Sequence, residues 1–161
     1  LEWLSNYYLH PLGQILETVF PPLKREGRGS RKTPAVRDDL QKSEPPPLTD
    51  EQKSVLQSIQ KRQGFGAHLL HGVTGSGKTE VYLHLLHDVL AQGKQGLVLV
   101  PEISLTPQLI DRFSRRFPGS VAVLHSHLTE REKTNHWWSM VDGQRRILIG
   151  ARSALFCPLP N

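Results

Sequence analysis

Gly72-Val73-Thr74-Gly75-Ser76-Gly77-Lys78-Thr79 is the stretch that decides the reading of this chain. Its form, G-x-x-x-x-G-K-[ST], is that of a phosphate-binding loop. Glycines let the backbone wrap an anion without side-chain clashes and turn successive N–H groups toward it. A helix that begins on the loop presents its positive N-terminal end to the same anion. Lys78 offers a point charge to β- and γ-phosphates, and the Thr79 hydroxyl suits a nucleotide-bound Mg²⁺. The candidate nucleotide site is therefore Gly72, Thr74, Gly75, Ser76, Gly77, Lys78 and Thr79, with Glu80 just inside the helix. Lys78 and Thr79 are the catalytic candidates, and Thr79 is the metal contact. Twenty residues upstream, Gln52 lies in a Thr49-Asp50-Glu51-Gln52 capping box. Its amide suits an adenine edge and equally suits capping its own helix; spacing alone leaves both open.

Working outward, the pattern alternates helix and strand. A helix is expected over about 50–62, with Val55, Leu56 and Ile59 on one face. Ala67–His71 reads as a short strand feeding the glycine loop. A helix over about 78–91 follows, stopped near Gly93. Leu97–Val100 is an almost continuously apolar strand, of the kind buried on both faces of a parallel sheet. Thr106-Pro107 starts a helix whose Leu109, Ile110, Phe113 and Phe117 face inward. Val121–Leu124 and Ile147–Ile149 are further strands. Between them Thr129-Glu130-Arg131-Glu132 opens a helix to about 141. Such alternation predicts βαβ crossovers and a parallel sheet. Three strand ends empty into polar loops on the carboxyl edge, where ligands of open α/β sheets bind. Thr106, Ser126, Arg152 and Ser153 there suit the backbone of a single nucleic-acid strand.

The rest of the chain bounds these readings. The 161 residues suffice for one globular domain with an extension, and 37% are hydrophobic. No run of 18 apolar residues predicts a membrane span. Cys157 is the sole cysteine, which excludes an internal disulfide or a multi-cysteine zinc site within these residues. The chain opens on Leu1 and its one methionine is Met140, which suggests a piece of something longer. Residues 1–20 form two short apolar and aromatic helices separated around Pro11 and Gly13, too small to bury a core of their own. Residues 21–47 read as a basic, proline-rich linker. Its stretch from Lys24 to Lys42 holds seven cations against three anions, which accounts for four of the net +5 charges. Such a run would gain contacts with a polyanion by counterion release, yet basic linkers are common and unspecific. His84/His87 and His125/His127 are spaced for a metal, but no carboxylate or cysteine partner is clearly placed. Trp137-Trp138 read as packing, one buried and one half-covered.

A phosphate-binding loop alone does not choose a reaction. Four ordered blocks do: GVTGSGKTEVY (72–82), LVLVPEISLTPQ (97–108), LHSHLTERE (124–132) and ILIGARSALFCP (147–158). Together they closely resemble the bacterial replication-restart DNA helicases of superfamily 2, the PriA (primosomal protein N′) family. The resemblance implies an incomplete first RecA-like lobe over 48–161, an α/β P-loop fold. Residues 1–20 look like the end of that family's N-terminal DNA-binding domain. It also implies Gln52 at the adenine, and Pro101 and Gln108 joining Thr106, Ser126, Arg152 and Ser153 along the translocating strand. ATP and Mg²⁺ would be the cofactors, with zinc only in the full-length family. The implied activity is ATP-dependent 3′–5′ unwinding at stalled forks, with primosome assembly. The implied partners are single-stranded or forked DNA, primosome proteins and single-strand-binding proteins. The implied location is the bacterial cytoplasm, at the nucleoid, with no membrane partner. His127 and Ala151 depart from a usual glycine and threonine, and 21–47 is too short for the family's winged-helix domain. The acidic Mg²⁺-organising strand, expected just past Asn161, and a second lobe with its arginine finger are not among these residues. The expectation is therefore an ATP-binding fragment that alone binds nucleotide weakly at best and does not turn it over. The alternatives are a non-hydrolysing DNA-binding or scaffold relic, and another P-loop ATPase such as a secretion motor.

Overall fold

The computed structural model describes residues 1–20, 44–62 and 64–160. Most of the basic linker expected over 21–47 therefore lies outside the described residues, and 44–49 form no regular structure. Helices α1 (Glu2–Tyr8) and α2 (Leu12–Val19) open the chain. They are followed by α3 (Asp50–Gln60), α4 (Lys78–Ala91), β1 (Gly96–Leu99), α5 (Pro107–Arg116), β2 (Val121–Leu124), α6 (Glu130–Val141) and β3 (Ile147–Gly150). Two short 3₁₀ turns, Glu102–Ser104 and Arg152–Phe156, follow β1 and β3.

The strands form one parallel sheet in the order β1-β3-β2. The chain thus crosses over twice, through α5 and then α6, and inserts its last strand in the middle. This is the α/β parallel architecture that the alternation of elements predicted. Each crossover helix starts at a chemically explicit cap. Thr106 accepts the Leu109 N–H at 3.3 Å with Pro107 behind it. Thr129 and Glu132 form a reciprocal capping box.

Period-2 alternation sends successive strand residues to opposite faces. Val121, Val123, Ile147 and Ile149 pack with Leu83 and Leu86 of α4, with Phe113 of α5 and with Phe117 at its C-terminal end. Ala122, Leu124 and Leu148 pack on the other face with Trp137 and Met140 of α6, Ala154 and Cys157. Leu109 and Ile110, expected inward, are half-buried against the first cluster. Each such fully buried aliphatic or aromatic side chain contributes about 2 kcal/mol relative to exposure. Trp137 is buried and Trp138 half-buried, meeting edge to face, so the pair packs as its sequence suggested. Cys157 is buried, which pushes its thiol up to about 11.

One expected element is absent. Ala67–His71 makes no strand ladder, and Leu69 is 93% exposed. A strand exists only by exchanging hydrogen bonds with a neighbour, and among the described residues this segment has no ladder partner. The glycine loop is thus entered from irregular backbone, while the helix after it forms where the motif requires. The N-terminal helices find their packing partner on the second face: α2 contacts the Arg152–Phe156 turn, and Phe20 meets Trp137 edge to face at 6.2 Å.

Candidate functional site

The glycine loop is shaped by two residues in the left-handed region, Gly75 (φ 84°) and Gly77 (φ 81°). A side chain at either would be strained. Gly77 is the N-cap of α4, so the loop ends where the helix dipole begins. The Lys78 ammonium donates to the carbonyls of Gly72 at 2.6 Å and Val73 at 2.7 Å and reaches Ser76 Oγ at 3.5 Å. It folds back over the loop, with backbone oxygens holding a charge suited to phosphate oxygens. Thr79 follows, half-buried, at the second position of α4. Thr74, Gly75 and Ser76 are exposed.

Gln52 does two things at once. Its Oε1 accepts the Thr49 N–H at 3.0 Å, completing the capping box of α3. Its Nε2 donates to the carbonyl of Gly77 at 3.4 Å. The capping role offered by the sequence is therefore present, and the same amide also reaches the glycine loop. A Cβ on Gly77 would collide with that amide nitrogen, so the glycine serves both the backbone turn and the approach of α3.

Glu80 behaves otherwise. Its side chain is 7% exposed and is held by Arg116, Arg112 and His84 between α4 and α5. The structure places this carboxylate in a helix interface, away from the company of the loop. His84 Nε2 lies 3.4 Å from Glu80 Oε1, and His87 lies beside Asp88. Among the described residues no group of three His, Cys, Asp or Glu is arranged to hold a metal.

The carboxyl-edge candidates fall into two groups. Ser126, Arg152 and Ser153 line an open cleft of about 1400 Å³, which Leu4, Tyr8 and Leu16 of the N-terminal helices and Phe20 just after α2 also line. Pro101 and Arg152 share a smaller recess of about 370 Å³. Thr106 and Gln108 are exposed at the start of α5 and line neither. The turn after β3 sits tightly on the sheet: a Cβ at Gly150 would lie 2.6 Å from the carbonyl oxygen of Leu124.

Glu102 was not a candidate from sequence, yet it ties two of these loops together. Its carboxylate accepts the Ser126 N–H at 3.1 Å, and bonding to Ser126 holds the carboxyl below its ordinary range. Burial holds His125 in the same cleft below its usual value, and His127 adds to this. An acidic residue a few positions after a strand is too common a pattern to have signalled either contact.

A family model described as "Type III restriction enzyme, res subunit" matches residues 46–159. The Replication restart protein PriA of Bacillus subtilis (strain 168) is 51% identical over 125 residues, covering 76% of this chain and 16% of that protein. That of Synechocystis sp. is 55% identical over 119 residues, 74% of this chain and 14% of that protein. That of Rickettsia conorii is 37% identical over 161 residues, all of this chain and 24% of that protein. The chain thus spans at most about a quarter of the length of these relatives. With the family match running from just before α3 to just past the last 3₁₀ turn, the chain belongs to the helicase-type family of the type III restriction enzyme res subunit, and its relatives here are replication restart proteins.

Proposed function

We propose that this chain is the nucleotide-binding portion of an ATP-dependent 3′–5′ DNA helicase acting in replication restart. The observation that carries the reading is the loop itself. Two left-handed glycines, a helix starting on the loop and the Lys78 ammonium folded over backbone oxygens form a cradle that fits a triphosphate. Loop N–H groups from Gly75 to Thr79 would hold the β- and γ-phosphates. Lys78 would neutralise them, Thr79 would ligate Mg²⁺, and Gln52 would face the adenine. Bound ATP–Mg²⁺ supplies the free energy of phosphoryl transfer. The chain's own residues bind and orient it.

The carboxyl-edge loops would carry single-stranded DNA. Arg152, Ser126 and Ser153 offer donors to phosphates inside one cleft, and Pro101, Thr106 and Gln108 would continue the path. Fork DNA, primosome proteins and single-strand-binding proteins would be partners of the whole protein. No helix among the described residues is long and apolar enough to cross a membrane. The cytoplasmic, nucleoid-associated location of the proposal rests on the likeness to replication restart proteins. Residues 1–20 would be the end of a DNA-binding domain, 21–47 its linker and 48–161 part of the first helicase lobe. Hydrolysis needs a carboxylate that organises Mg²⁺ and water. Glu80, the carboxylate nearest the loop in sequence, is engaged by α5 and unavailable for this, which supports the reading that the chain alone binds nucleotide weakly at best without turning it over.

The test is a titration of a fluorescent ATP analogue with and without single-stranded DNA, paired with an ATPase assay. Binding of both ligands without turnover is expected. DNA-only binding would favour the scaffold relic and nucleotide-only binding a different ATPase. DNA-stimulated turnover lost on Lys78→Ala would overturn the non-hydrolysing reading.

A further inference from the structure

We infer that Glu80 is a positioning residue that registers the nucleotide-loop helix against α5 and so couples nucleotide binding to strand binding. The inference rests on the function proposed above and assigns a device within it.

Glu80 is the third residue of α4, directly after Lys78 and Thr79. Its carboxylate leaves the loop and enters the interface between α4 and α5, where its side chain is 7% exposed. A charge so buried must be paired, and α5 supplies the pairing at two points. Arg116 Nη2 lies 3.3 Å from Oε1 and Arg112 Nη2 lies 3.5 Å from Oε2. His84, one turn along α4, adds a contact of 3.4 Å to Oε1. Each guanidinium takes its own oxygen. Arg112 and Arg116 are four residues apart, on one face of α5. Arg112 donates a hydrogen bond to Oε2, whereas Arg116 meets Oε1 as an ion pair with no hydrogen bond; two points on one helix thus hold the carboxylate, and with it the first turn of α4, against α5.

Adhesion does not explain this arrangement. Leu83, Leu86, Phe113 and Phe117 already pack α4 and α5 together through the apolar cluster. Buried ion pairs hold helices less economically than apolar contacts do, and their best-attested use is setting register. Apolar side chains tolerate sliding; a buried carboxylate paired with two guanidinium groups on one helix tolerates it less, because sliding would leave the charge without a partner. The two ends of this joint are the candidate ligand sites. Glu80 is adjacent to Thr79 of the nucleotide loop. Arg112 lies one and a half turns from Thr106 and about one from Gln108, at the exposed start of α5. A shift of the α4 N-terminus when the loop fills would thus be carried to the start of α5.

The experiment measures affinity for a fluorescent ATP analogue with and without saturating single-stranded oligonucleotide, using the full chain. The ratio of the two affinities is the coupling factor. In the unsubstituted chain it should differ from one by about fivefold or more. Arg112→Gln removes the half-exposed arm and leaves the Glu80–Arg116 pair to hold the fold. It should bring the ratio to about one while each separate affinity and Tm stay close to those of the parent. Glu80→Gln should remove the coupling too, and the double variant should go no further, as expected of residues acting as one unit. A purely structural role would lower Tm and leave the ratio unchanged, and that result overturns the inference. A parent chain that binds both ligands with a ratio of one also overturns it, leaving the function intact. A parent chain that binds no nucleotide overturns the function, and this inference with it.

Discussion

The glycine loop and the carboxyl-edge cleft are built on opposite plans. Eight consecutive residues make the loop, and its shape follows from the dihedral freedom of Gly75 and Gly77 and the start of α4. The cleft is assembled from both ends of the chain: Leu4 and Phe20 on one side, Ser126, Arg152 and Ser153 on the other. It exists only because a parallel sheet brings three strand ends to one edge. A local site is insensitive to distant packing; an assembled site depends on every contact that aligns its parts.

The sharpest way to break the comparison is at Gly150. A Cβ there meets the backbone oxygen of Leu124 at 2.6 Å, and backbone cannot move aside as a flexible side chain can. Gly150→Val should lower stability by about 3 kcal/mol, read by thermal unfolding. DNA affinity should fall even below the unfolding temperature, because two of the cleft's loops leave the sheet at this point. Unchanged DNA affinity in folded protein would show that the cleft is not where the strand lies.

Lys78→Ala tests the local plan. Among the described residues the side chain bonds to its own loop carbonyls and Ser76, so Tm should stay within a degree or so. Nucleotide affinity should drop by about 2 kcal/mol, the worth of a charge-assisted hydrogen bond. DNA binding should be unaffected. Isothermal titration with each ligand separates the two.

Thr106→Ala lies between the plans, since it removes the α5 cap next to the strand path. A stability loss of about 1 kcal/mol is expected, visible as a lower urea midpoint. DNA affinity should fall only if the hydroxyl also touches the strand.

The smallest effect concerns Glu102. Its carboxyl is held below the ordinary range by bonding to Ser126, so the folded state prefers the charged form. The tie between the two loops is therefore present above the unfolded value of the carboxyl and is lost as pH falls through the lower, folded one. The Ser126 amide resonance should move in that acid window. In Glu102→Gln it should not titrate there.

These contrasts track what was legible beforehand. The caps at Thr49, Thr106 and Thr129, the helix opening at Lys78 and the three paired strands all followed from local chemistry, because each depends on residues a few positions apart. The strand expected at Ala67–His71 did not form. Its apolar residues satisfy the pattern, but a ladder needs a neighbour that composition cannot supply. Glu80 was grouped with the loop because it is adjacent in sequence; one position around a helix turns a side chain through about 100°, and its carboxylate went to α5. Glu102, Arg112 and Arg116 were invisible because their partners lie 24 to 36 residues away.

The sequence by itself determined the nucleotide loop, the alternation of helix and strand and the family likeness, since all three are written in short-range spacing and glycine placement. Only the tertiary structure decided that Gln52 both caps α3 and touches Gly77, and that Glu80 faces two arginines. It alone decided that residues near the two ends of the chain line one cleft. The reason is physical. Backbone dihedrals and caps act over a few residues, whereas burial and charge pairing are settled by whichever surfaces the folded sheet brings together.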